Sequence, residues 1–108
     1  MAKEETPEMV RDWFLRQVFD LWPAAEGSLS LRRNRCIRSR CSSCLSGEGH
    51  PSYALYLRQG RRRRVLYVSD DLVEPMSVAL ANGRKLSALL QEATERYLKA
   101  LKAQKRRE

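Results

Sequence analysis

The residues of this chain whose types and spacing suit chemistry lie in one short run, Cys36-x4-Cys41-x2-Cys44-x5-His50, which holds every cysteine and the only histidine. Zinc takes four ligands in a tetrahedron, and thiolates spaced like Cys41 and Cys44 let one tight turn present two sulfurs to the same ion. Cys36 before them and His50 after them complete a Cys3His set, and Gly47 and Gly49 give a short chelate loop its backbone freedom. The run is read as a zinc site made by Cys36, Cys41, Cys44 and His50. The competing readings are an iron–sulfur cluster, which ordinarily takes four thiolates, unmetallated thiols, and a Cys41–Cys44 disulfide. A closed site uses all four donors, and Glu48 is the only acid in the loop. The metal is therefore expected to be structural rather than catalytic. No third group is visible to orient a Cys–His nucleophile pair, so the chain is expected not to be an enzyme. A metalloenzyme or redox sensor is the minor alternative.

Around that run the charged residues are arginines. Residues 28–68 carry ten basic groups, Arg32, Arg33, Arg35, Arg38, Arg40, Arg58, Arg61, Arg62, Arg63 and Arg64, against the single acid Glu48, a balance of +9. Residues 1–27 carry three basic groups and six acids, a balance of −3, and residues 69–108 carry eight and six, a balance of +2. The net charge of +8 is thus concentrated in the middle of the chain. A guanidinium grips phosphate oxygens with two parallel bonds and stacks on bases, which an ammonium does not do. Lys99, Lys102 and Lys105 show that lysine is available to this sequence, which weakens a coding-bias explanation. A solvated face is the other plain one. Tyr53, Tyr56 and Tyr67 suit base stacking, with cross-strand core pairing as the competing role. The expected function is that of a small zinc-stabilised nucleic-acid-binding protein, its nucleic-acid contacts made by these arginines and Tyr53. Neither a recognition helix nor an RNA-binding signature is present, so DNA and RNA stay open and little sequence specificity is expected. The alternative is a structural adaptor or accessory subunit whose helices dock onto a larger nucleoprotein complex.

Several elements must position these groups. The 108 residues suit a single domain over 1–108, and the 43% hydrophobic content argues against wholesale disorder. No apolar run reaches the roughly 20 residues that cross a bilayer, and the acidic start MAKEETPEMV does not resemble a secretory signal. With an odd, clustered cysteine set, this points to a cytoplasmic protein with no membrane partner. Residues 6–22 read as an amphipathic helix with Thr6 as N-cap and Pro7 in the first turn, its Trp13 and Phe14 serving as core or interface anchors. In 28–68, Leu29 and Leu31 share one side of a short strand. Tyr-, Leu- and Val-rich strands over 53–58 and 63–68 then flank Gly60 as a hairpin. Residues 70–104 read as helical, with Pro75 in the first turn of a long helix and 105–108 as a frayed tail. Ala79, Gly83, Leu86, Leu90, Ala93, Tyr97 and Ala100 follow a 4-3-4-3-4-3 spacing, a heptad seam. The seam either packs on the first helix or pairs with a second copy or a larger protein, through Leu86, Leu90 and Tyr97. The fold class is α+β: an N-terminal helix, a small antiparallel sheet of two or three strands with a zinc loop, and a long C-terminal helix.

The run GSLSLRRNRC, followed by CIRSRCSSCLSGEGHPSYALYLRQGRRRRVLYV and a leucine-bearing helix, resembles a family of short basic prokaryotic proteins catalogued as a domain of unknown function. The likeness covers residues 27–101 and is most specific over 31–68. The family has closer second and third cysteines, and His-Gly-Pro-Tyr where this chain has His50-Pro51-Ser52-Tyr53. Cys36, Cys41, Cys44, His50 and Tyr53 correspond. The resemblance implies the same order of strand, cysteine loop, hairpin and long helix, and no assigned activity.

Overall fold

The computed structural model describes residues 4–34 and 50–107, with the side chains at 32–34, 50 and 51 left aside. In order these form helix α1 (Pro7–Val18), strands β1 (Ser28–Asn34), β2 (His50–Gln59) and β3 (Arg62–Val68), a 3-10 turn (Asp70–Leu72) and helix α2 (Val73–Arg107). This is the expected α+β arrangement. The chain packs as two compact units, Met1–Ala24 with Ala81–Glu108, and Ala25–Leu80.

In the first unit, the Thr6 side chain accepts a hydrogen bond from the Met9 amide at 3.2 Å, and Pro7 opens α1 where an amide hydrogen is not needed. The helix stops at Val18, four residues short of the expected 22. Pro23 disfavours helical backbone only at Trp22 before it, so it does not by itself end the helix at Val18. Leu21 N–H bonds the Val18 carbonyl at 3.0 Å. Buried or half-buried positions on the α2 part of this unit are Ala81, Asn82, Gly83, Leu86, Leu89, Ala93, Arg96, Ala100 and Ala103. The expected seam positions Gly83, Leu86, Ala93 and Ala100 are among them, but Leu89 and Arg96 take the inner places expected for Leu90 and Tyr97. Those two are 56% and 49% exposed. The expected and observed seams share Gly83, Leu86, Ala93 and Ala100, and sequence spacing alone does not separate them. α2 continues through residues 105 and 106 and ends at Arg107.

The second unit holds the sheet, ordered β1-β2-β3 and antiparallel throughout. Leu55, Val68 and Leu80 form its buried cluster, with Ala25, Leu29, Tyr53, Val73 and Met76 packed against it. One sheet face is thereby committed to the core. Leu31, expected beside Leu29, shares that face but is 47% exposed. The hairpin loop is Gly60-Arg61, between the Gln59↔Arg62 pair. Gly60 at φ +63°, followed by a residue with negative φ, is the pattern of a type II′ turn. Gly27 is a second required glycine: φ is +129°, and a Cβ there would lie 2.8 Å from the Tyr56 carbonyl oxygen. Ser69 precedes the 3-10 turn without a side-chain cap bond. Pro75 lies in the first turn of α2 as expected.

Candidate nucleic-acid interface

The register of the sheet decides what each expected residue can do. Cross-strand partners point to the same side and neighbours along a strand to opposite sides. Leu29↔Leu55↔Leu66 and Leu31↔Tyr53↔Val68 therefore share the core face. Tyr53 is half-buried there against the Leu55 cluster, which fits the core role rather than base stacking. The other face carries Ser30↔Ala54↔Tyr67, Ser28↔Tyr56↔Val65 and Arg58↔Arg63. On it Ala54 is buried, whereas Val65 is 46% and Tyr67 82% exposed. The large apolar and aromatic side chains exposed on this face are thus on β3.

Arginines crowd the end of the hairpin. Arg58 and Arg63 are direct cross-strand partners, an arrangement of like charges that weakens a hairpin. Arg61 sits in the turn, and Arg62 and Arg64 project from the face opposite to Arg63. All five are exposed. The Arg63 guanidinium lies over the Tyr56 ring, 4.7 Å from its centroid, and Arg64 donates to the Gln59 side-chain oxygen at 3.4 Å. Among the described residues no carboxylate forms an ion pair with any of them: the ion pairs are Arg11–Asp12, Arg96–Glu5, Arg96–Glu92 and Arg107–Glu4.

Arg35, Arg38, Arg40, Cys36, Cys41 and Cys44 lie outside the described residues, as do the side chains of Arg32, Arg33 and His50. The backbone still fixes the loop's ends, because Asn34 pairs with His50. This sets the last candidate ligand in sequence across from a residue two positions before the first. Among the described residues no group of three or more His, Cys, Asp or Glu side chains is placed to hold a metal, and no helix is long and apolar enough to cross a membrane.

The expected interface residues fall in the first unit. Trp13 and Phe14 are half-buried. The Arg96 guanidinium stacks on the Trp13 ring, 3.9 Å from its centroid, while bonding both carboxylate oxygens of Glu5. Phe14, Leu90 and Tyr97 line one apolar groove with Pro7, Val10 and Ala93. Sequence reasoning missed Arg96, whose main partner is distant in the chain. It also missed the exposure of Phe19 at 83% and Trp22 at 81%. The early stop of α1 leaves Trp22 outside the helix. Comparison with protein-family models, with curated proteins and with solved structures finds no match for this chain.

Proposed function

We propose that this chain is a small nucleic-acid-binding protein that grips phosphates through Arg58 and the arginines at 61–64, with a structural zinc ion held by Cys36, Cys41, Cys44 and His50. The observation that carries the reading is the Arg58↔Arg63 pair. A fold gains nothing by setting two guanidinium groups opposite each other, whereas a polyanion brought to them gains from both. Blunting an exposed sheet edge explains charges on β3, but Arg58 lies on the central strand. The zinc part rests on the donor set, supported by the Asn34↔His50 pairing that closes the mouth of the loop.

The test is anisotropy of dye-labelled oligonucleotides titrated with the full chain over a range of salt. Each phosphate contacted contributes a slope of about −0.7 on single strands and about −0.9 on duplex in log K against log salt. The five hairpin arginines should therefore give a slope of about −3.5 on single strands and about −4.5 on duplex. Serine at 61–64 should flatten it and leave the circular dichroism unchanged. Absence of binding to every oligonucleotide at low salt overturns the reading.

One observation favours a second reading, an adaptor docked on a larger protein: Phe19 and Trp22 are large, aromatic and more than four-fifths exposed. In that case the chain alone ignores nucleic acid, and Trp22→Ala releases it from its protein partner.

A further inference from the structure

We infer that the nucleic acid taken by this protein is single-stranded, with unpaired bases stacking on Tyr67 and on the guanidinium plane of Arg63. This rests on the nucleic-acid reading above and narrows it to one class of ligand.

Three observations converge on the β3 side of the sheet. Tyr67 is 82% exposed, although its chain neighbours Leu66 and Val68 are only 37% and 9% exposed. A large ring is thus held in water by a regular strand whose alternation offers it no place in the core. Its backbone is fixed by pairing with Ala54, so stacking a base on it orders only the side chain. Second, Arg63 and Val65 alternate with Tyr67 on the same face, a row of about 13 Å from Arg63 to Tyr67 at the rise of an extended strand. Third, the Arg63 guanidinium sits over the Tyr56 ring, 4.7 Å from its centroid, which places on this face a planar group of the kind on which exposed bases stack.

Arg58 and Arg61 stand at the hairpin end of this row to take phosphates. Duplex phosphates would satisfy those arginines equally well, but paired bases are stacked on one another and show a protein only their edges. Only an unpaired base has a face to give to Tyr67. The ring therefore discriminates where the arginines do not.

The experiment compares a single strand with its own duplex, in DNA and RNA arms, against the full chain, Tyr67→Ala, Tyr67→Phe and the variant with serine at 61–64. The expected result is tighter binding of the single strand in at least one arm. Tyr67→Ala should weaken that binding about tenfold and leave duplex binding nearly unchanged, and Tyr67→Phe should retain it. At 82% exposure the substitution removes no core contact, and circular dichroism checks that the sheet persists. Equal affinity for strand and duplex, or single-strand affinity indifferent to Tyr67→Ala, overturns the inference. If serine at 61–64 still weakens binding and flattens its salt slope in that event, the parent reading stands. Failure of the intact chain to bind any of the four nucleic acids overturns both.

Discussion

Arg96 shows how a single side chain can join distant parts of the sequence. Its i,i+4 partner Glu92, at 3.1 Å, is visible in the helical spacing. Glu5, which it grips with two bonds, and Trp13, on which it stacks, are not. The bonds from Arg96 are the main cause that holds the Glu5 carboxyl below its ordinary value of 4.5. A carboxylate with a lowered folded-state pKa contributes stability that is present above its unfolded value and lost as pH falls through the folded one. Thermal unfolding followed from neutral pH downward should therefore show a loss that starts near 4.5 and continues below it. Arg96→Gln should lower the unfolding temperature at neutral pH and flatten that acid decline. An unchanged acid profile in the variant would show that the Glu5 contact contributes nothing. Both side chains are about a third exposed, so added salt should shrink the difference.

At the scale of elements, much was legible. Thr6-Pro7 starts α1, Gly60 makes the hairpin turn, and Pro75 lies in the first turn of α2, because each depends on chain-local geometry. What stayed hidden was which side each element buries. Val65-Leu66-Tyr67-Val68 is an unbroken apolar run with no alternation to read, and only the two-residue turn, through its register, sends Leu66 and Val68 inward and Tyr67 outward. In α2 the expected and observed seams share four positions, and burial alone selects the inner one. Tyr53, expected at the nucleic acid, lies on the core face for the same reason of register. The register also gives a prediction for the hairpin. Arg58→Glu replaces a like-charge cross-strand pair with an opposite-charge one, and should stabilise the protein by roughly 0.2–1 kcal/mol, read from the midpoint of urea unfolding. The same change should weaken oligonucleotide binding. A variant that gains neither stability nor loses affinity would mean that Arg58 and Arg63 do not sense each other.

At the scale of the whole molecule, the buried apolar material among the described residues is sparse. The buried hydrophobic residues among those described are Val10, Ala54, Leu55, Val68, Ala79, Leu80, Ala100 and Ala103, half of them alanine. Within Ala25–Leu80 the cluster proper is Leu55, Val68 and Leu80, and three strands with so small a core are marginal without a further constraint. The proposed zinc ion would supply such a constraint, because ligands that must come together only in the folded state turn metal affinity into folding free energy. Closing the loop at Asn34↔His50 would let that energy act directly on the β1–β2 register. Chelation of the purified chain should therefore remove one zinc per molecule and broaden the unfolding of the sheet, while helical circular dichroism changes less. Cys41→Ser and Cys44→Ser should reproduce the chelated state without chelator, and added zinc should restore the wild-type chain alone. Oligonucleotide affinity should fall together with the sheet, since the Arg58↔Arg63 pair and the Tyr67 row exist only in its register. A metal-free wild-type protein that unfolds as cooperatively as the purified one would remove zinc from the proposed mechanism and leave the arginine hairpin to stand on its own.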